Sequence, residues 1–338
     1  MKETILVTGA AGFIGFNLCE KLIKDEFEVI GIDNINSYYD RNLKFSRLEE
    51  LKKIKGSFTF YKEDIEDIKN LEAIFLRHKP TKVFNLAAQA GVRYSIKNPD
   101  TFLKTNIIGF GNILECCRKN NVDHLIYASS SSVYGGNIQL PYSENNTVDH
   151  PVSLYAASKK SNELMAHTYS HLYSLPSTGL RFFTVYGPWG RPDMAYFIFT
   201  KSIIEGEKID IFNYGDMQRD FTFIDDIIES LIRIMKKPPT FNKDFDKNNP
   251  EIHTSWAPHK IFNIGNSNSI PLMEFVDNLE EALGKKAKKN FVPFQLGDVK
   301  STFADTTLLE KWINYKPNTS IKDGICKFVD WFKYYYKS

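Results

Sequence analysis

The stretch Thr8-Gly-Ala-Ala-Gly-Phe-Ile-Gly15 follows a short β-branched run, Thr4–Val7, and opens a segment with helical periodicity, Ile14–Lys24. Glycines at 9, 12 and 15 permit a tight turn, close approach of a backbone to a pyrophosphate, and close packing of helix on strand. The first N–H groups of the helix then point at phosphate oxygens. A glycine triplet alone marks only a turn. Here a strand precedes it, a helix follows, and an acid, Asp33, ends the next strand, Glu28–Ile32. That combination predicts a dinucleotide-binding βαβ unit, with Gly9, Gly12, Phe13, Ile14 and Gly15 forming the cradle. A carboxylate at Asp33 can accept from ribose hydroxyls and repels a 2′-phosphate, which favours NAD over NADP.

Outward from this unit, Phe58–Lys62, Lys82–Leu86 and His124–Ala128 read as further strands, with helical patterns such as Ile107–Arg118 between them. Alternating strands and helices predict an α/β fold with a doubly wound parallel sheet of Rossmann type. Asp64-Ile65 and Leu86-Ala-Ala88 end the third and fourth strands and are candidate cofactor contacts. Beyond Phe183 turn residues cluster, as in Tyr186-Gly-Pro-Trp-Gly-Arg-Pro192, and short helices alternate with isolated strands. The expectation is a first domain over 1–183 and a smaller α/β substrate-binding domain over 184–338, with chain segments returning to the first. The aperiodic Pro/Asn/Asp/Lys-rich stretch from Lys236 to Lys260 reads as a long exposed loop.

Composition narrows the function. Of 338 residues, 42% are hydrophobic and 25% charged, with a formal net charge of +2, which suits a soluble globular protein and gives nucleic-acid binding no support. The basic run Lys285–Lys289 reads as a solvated turn. No apolar run approaches the ~20 residues needed to cross a bilayer, and the strand pattern begins by Thr4, so neither membrane nor secretion is expected. Four cysteines without a C-x-x-C pair fit a reducing cytoplasm. No metal site is expected.

The run Ala128-Ser-Ser-Ser-Ser-Val-Tyr134 ends the fifth strand, at the ligand edge of the sheet. Downstream, an apolar pattern predicts a helix over Ser153–Leu172, which places Tyr155 and Lys159 on one face at i and i+4. A neighbouring ammonium favours the phenolate, lowering the phenol from its ordinary value, and a nicotinium ring would add to that effect. A phenolate so placed can take the proton of a sugar hydroxyl. Y-x-x-x-K alone occurs by chance on many helices; joined in this order to the glycine turn and the serine run, it becomes specific.

On these motifs the chain resembles the extended short-chain dehydrogenases/reductases, and within them the nucleotide-sugar 4-epimerases, over essentially its whole length. The resemblance implies Ser130, three residues before Val133, as the catalytic hydroxyl, with Tyr155 as base and Lys159 as its partner. It implies a cofactor role for Asn106 and, as an expectation, a homodimer in which helices 99–118 and 153–172 pair across a two-fold axis. The segment Asp210–Asp225 resembles the family's nucleotide-binding segment, which puts Phe212 near uracil and Arg219 on the diphosphate. Gln295-Leu-Gly-Asp298 resembles the family's Arg-Pro-Gly-Asp element, with Gln295 replacing the arginine and Asp298 left for the uridine ribose.

Two segments, Gln89-Ala-Gly-Val-Arg-Tyr-Ser95 and Arg181–Ala195, resemble UDP-glucuronate 4-epimerases. That resemblance implies a UDP-sugar carrying a carboxylate. Ser131, Ser132 and Thr184 are candidate hydroxyl donors to it, with Arg191 or Arg93 as charge. Relatives acting on UDP-galactose carry asparagine in place of Thr184, and a UDP-hexose 4-epimerase is the alternative. The related 4,6-dehydratases need an Asp-Glu pair beside the catalytic hydroxyl, where this chain has Ser131-Ser132. A non-catalytic nucleotide-binding module would be expected to have lost Tyr155 or Lys159.

Overall fold

A computed structural model describes residues 2–295 and 299–337 of the chain. Six β-branched or aromatic runs form β1 (Thr4–Thr8), β2 (Glu28–Ile32), β3 (Ser57–Tyr61), β4 (Lys82–Asn85), β5 (His124–Ser130) and β6 (Ser177–Phe182). All pair in parallel, in the spatial order β3-β2-β1-β4-β5-β6. Helices cover the sheet, so its central strands are buried along their length and read as continuous apolar runs. The doubly wound parallel sheet expected from the sequence is the fold of this chain.

Three short strands follow, β7 (Thr184–Tyr186), β8 (Lys208–Phe212) and β9 (Gln218–Phe223), and then β10 (His259–Ile264), β11 (Ser269–Pro271) and β12 (Lys288–Val292). β7, β9 and β11 make a three-stranded sheet, and β8 pairs with β12. β10 instead joins the main sheet as a seventh strand beside β6, so the second half of the chain returns to the first. The stretch Lys236–Lys260 is irregular and mostly exposed as far as Ile252, as expected, and departs from that expectation only beyond it. His253, Thr254, Ser255 and Ala257 are buried, because the chain turns back there and Ile261 N–H donates to His253 O at 2.8 Å.

Element boundaries fall close to expectation. Ser153 Oγ accepts from Ala156 N–H at 3.1 Å and caps a helix over Leu154–Tyr173. The helical pattern around Ile107 differs: Leu103–Gly109 is a π-helix, leading into an α-helix over Phe110–Lys119. Such wide turns are inserted where a helix must re-aim its side chains.

The segment after β5 folds back onto the end of β10. Tyr134 stacks on Tyr142 with centroids 4.5 Å apart; its hydroxyl donates to Asn263 Oδ1 at 2.6 Å. Asn263 N–H donates to Glu144 Oε1 at 2.8 Å, whereas Glu144 Oε2 has no partner among the described residues. Burial pushes the Glu144 carboxyl up to about 7. A carboxyl raised in the folded state stabilises it fully below the ordinary carboxylate value and loses that contribution as pH rises through about 7. Glu144→Gln should therefore gain on the wild type in thermal midpoint between pH 5 and pH 8. A gap that stays constant over that range contradicts the protonated, buried carboxyl.

Candidate active site

The carboxyl ends of β1, β2, β4, β5 and β6 open onto one cleft of about 890 Å³. At its floor the turn after β1 is set by contact distances. Gly9 has φ +71°, and a Cβ there would lie 2.9 Å from Ala87 N; one on Gly15 would lie 2.1 Å from Gly9 O. Only glycine meets both demands. Gly12 caps the helix Phe13–Lys24 with no side-chain bond, which leaves the first N–H groups of that helix for an anion. Thr8 Oγ1 donates to Asn85 Oδ1 at 2.7 Å and accepts from Ala87 N–H at 3.1 Å. These bonds fix the ends of β1 and β4 side by side.

Asp33 follows β2 and lines the cleft. Its Oδ2 accepts from Ala11 N–H at 3.1 Å and its Oδ1 from Ile35 N–H at 2.8 Å. Each oxygen keeps a lone pair for a ribose hydroxyl. Asp64, Ile65, Leu86, Ala87 and Ala88 line the same wall, and Asp64 Oδ2 is oriented by Asn34 Nδ2 at 2.8 Å. Together the open helix end, the enclosed carboxylate and the small-residue floor fit a dinucleotide. Asn106 departs from the direct contact expected of it. It is buried, accepting from Gln89 N–H at 2.8 Å and donating to Gln89 O and Ser158 Oγ, each at 3.0 Å. It stands one layer behind the cleft wall because the π-helix turns it toward the loop after β4.

The Ser153 cap puts Tyr155 in the first turn of its helix and Lys159 one turn on, both against the end of β5. Lys159 Nζ donates to Ala128 O at 2.8 Å. Ser130 lines the cleft beside Tyr155 and favours the ionised form of its phenol. Burial lowers Lys159 to about 8. Burial also raises Tyr155 above its ordinary value, opposed by Ser130 and by the charge of Arg191. The sequence expectation of a lowered phenol is thus not met by the protein alone. The ammonium is engaged by a carbonyl, and desolvation of the phenolate outweighs the favourable terms.

Ser131, Ser132, Thr184 and Arg191 line the cleft with the Ser130–Tyr155 pair. Arg191 is chelated by Asp193, at 3.0 Å from Nε and 2.6 Å from Nη2, so much of its charge is already matched. Farther out, the Arg93 guanidinium lies 5.1 Å from the Phe212 ring centroid, one residue from each half of the chain. Arg219 lines the cleft and donates to Gln218 O at 2.8 Å and Lys300 O at 3.0 Å. Asp220 beside it is buried and accepts from Asn266 and Ala304 N–H at 2.8 and 3.1 Å. Asp298 lies outside the described residues.

Sequence reasoning missed the support behind these groups. Arg181 on β6 and Glu163 are buried and form two bonds, at 2.9 and 3.0 Å. Glu163 Oε1 also accepts from Ser129 Oγ at 2.7 Å, and Arg181 Nη1 donates to Tyr134 Oη at 3.1 Å. The signal was present: Tyr155, Lys159 and Glu163 follow one another at i+4 along a single helix face. Tyr38, Lys44 and Asp193 in the cleft wall were also missed. The polar, turn-rich run Asn34–Asp40 at the ligand end of β2 could have flagged Tyr38.

A family model described as GDP-mannose 4,6 dehydratase matches residues 6–328. The protein CapI of Staphylococcus aureus is 56% identical, over 98% of this chain and 99% of its own. A probable UDP-glucuronate 4-epimerase of Rhizobium meliloti (strain 1021) is 43% identical, over 98% and 97%. The crystal structure of a UDP-glucuronic acid 4-epimerase from Bacillus cereus, in complex with UDP-glucuronic acid and NAD, is 33% identical with a TM-score of 0.87, over 98% of this chain and 100% of that one. The chain belongs to the extended short-chain dehydrogenase/reductase nucleotide-sugar 4-epimerases. In this epimerase the Arg181–Glu163 pair is an enclosed ion pair between β6 and the Tyr155 helix that also reaches β5.

Removing one member of such a pair leaves an uncompensated buried charge, worth about 3–5 kcal/mol. Glu163→Ala should lower stability by that order in denaturant titration. The double variant Glu163→Leu with Arg181→Met should recover most of it yet turn over more slowly, because Ser129 and Tyr134 lose their anchors. A double variant as unstable as the single one, or as active as the wild type, contradicts this role.

Proposed function

We propose that this protein is an NAD-dependent UDP-glucuronate 4-epimerase, interconverting UDP-glucuronate and UDP-galacturonate through a 4-keto sugar. The observation that carries the reading is that Ser131, Ser132 and Thr184 line the same cleft as Ser130 and Tyr155. NAD, when bound, accepts a hydride from C4 of the sugar and returns it. The glycine turn, Asp33, Asp64 and the Leu86–Ala88 floor would hold it. Phe212, Arg219 and Arg93 would hold the uridine diphosphate.

Tyr155 takes the proton of the C4 hydroxyl while Ser130 holds that oxygen. The phenol is raised by burial in the protein alone, so its ionisation needs positive charge brought to the site, as a nicotinium ring brings it. Below pH of about 8 the Lys159 ammonium adds to that charge. Ketone formation at C4 makes a β-keto acid, because C4 and the C6 carboxylate flank C5. Such acids lose CO₂ when the breaking bond aligns with the carbonyl π system. Ser132 and Thr184, with Arg191 held in place by Asp193, would keep the carboxylate out of that alignment. Dehydration, the activity in the family model's description, needs an acid and base at positions where this chain has Ser131-Ser132.

A homodimer is part of the proposal. Leu103, Ile108, Leu164 and Leu172 are exposed on the π-helix and the Tyr155 helix, which pack together, and a second copy would cover them. The four free cysteines suit a reducing cytoplasm.

Purified protein should convert UDP-glucuronate far faster than UDP-glucose. Tyr155→Phe should lower turnover by about 10²–10⁴ while NAD stays bound. Thr184→Val should weaken turnover of the uronate far more than any residual activity on the hexose, since donors built for a carboxylate are left unpaired by a neutral group. Preference for UDP-glucose, or equal losses on both substrates, would move the assignment to a hexose epimerase.

A further inference from the structure

Two segments behind the cleft are pinned to each other by a residue with no place in the chemistry above. Arg47, in the helix Arg41–Lys53, is fully enclosed. Its Nη1 donates to Ala11 O and Tyr39 Oη, each at 2.8 Å. Its Nη2 donates to Trp189 O at 2.5 Å and Gly190 O at 3.1 Å. Ala11 belongs to the glycine turn, and Trp189-Gly190 lead directly into Arg191. One planar guanidinium thus ties the phosphate-facing turn of the first half to the sugar-facing loop of the second.

A second contact, on the cleft side, joins the run after β2 to the same loop of the second half. Tyr38 Oη donates to Asp193 Oδ2 at 3.0 Å, and the Arg191 guanidinium lies 6.0 Å from the Tyr38 ring centroid. Trp189 is held at φ +62°, a left-handed conformation that a bulky residue adopts only when its surroundings impose it. Its ring packs on Phe16, Trp331 and Tyr335, and its carbonyl is held by Arg47.

The four partners of Arg47 are neutral oxygens. Among the described residues Arg47 forms no ion pair, and a cation enclosed by neutral groups alone is costly. A pyrophosphate bound on the adjoining turn would bring negative charge toward it. Clasp and dinucleotide then stabilise each other, and the coupling is reciprocal.

We propose that Arg47 is a positioning residue that clasps the Trp189–Asp193 loop over the glycine turn, so that the dinucleotide is retained through turnover and Arg191 is held where the sugar reacts. The proposal rests on the NAD reading above.

The test loads wild type, Arg47→Lys and Tyr38→Phe with radiolabelled NAD. Loss of label is then followed in excess unlabelled NAD, with folding checked by circular dichroism. Lysine keeps the charge but cannot span four acceptors. Arg47→Lys should release NAD at least about tenfold faster, the size of one charge-assisted hydrogen bond. Its turnover should rise toward the wild-type value when NAD is in excess, which misfolding would not allow. Tyr38→Phe should release NAD faster by a smaller factor. Folded Arg47→Lys that holds NAD as long as the wild type overturns the clasp. If Arg47→Lys does not fold, unchanged release from Tyr38→Phe overturns it. Wild-type protein that takes up no NAD overturns the function and the clasp together, whereas retention by all three proteins overturns the clasp alone.

Discussion

The buried Arg181–Glu163 pair is the constraint on which the active site depends. Its side chains are 0% and 1% exposed, so neither charge is tolerable without the other. Because Glu163 lies one helical turn beyond Lys159, and because it also accepts from Ser129, the pair sets the Tyr155 helix against the end of β5. Arg181 carries the same constraint to Tyr134 and, through β6, toward Thr184. The shared place of Ser130 and Tyr155 in the cleft is the visible product of this alignment. A general base works only within hydrogen-bond reach of its proton, so a slip of one element would cost more than any single contact in the cleft.

Electrostatics then divide the labour between protein and cofactor. Desolvation holds the phenol above its ordinary value and Lys159 at about 8, so the protein alone keeps Tyr155 neutral. In the proposed reaction, positive charge brought over the site by the cofactor would favour the phenolate. The clasp proposed for Arg47 follows the same logic at the other end of the dinucleotide, where phosphate would add negative charge near a cation held by neutral oxygens.

Much of this was legible in the sequence because it rests on local rules. The glycine spacing, the acid after β2 and the strand–helix alternation specify the sheet and its ligand edge through backbone geometry alone. The serine run at a strand end and the i+4 spacing of Tyr155 and Lys159 are local as well, and the choice of Ser130 within that run rests on the family resemblance. What the sequence hid is long-range. Nothing near Arg47 announces that its partners lie at Trp189 and Gly190, and nothing near Asn106 announces that it turns inward on a π-helix. The direction of the Tyr155 shift was hidden for the same reason, since desolvation depends on everything packed around the ring and helix spacing reports only the nearest charge.

The most direct measurement uses UDP-glucuronate carrying deuterium at C4, with the product isolated and its label and carbon count determined. The account predicts UDP-galacturonate with the deuterium retained at C4 and all carbons present. The isotope should leave and return within one closed site, and the carboxylate should never align for loss. Deuterium exchanged into solvent, a 4-keto product lacking water, or a pentose product as the principal outcome would contradict it.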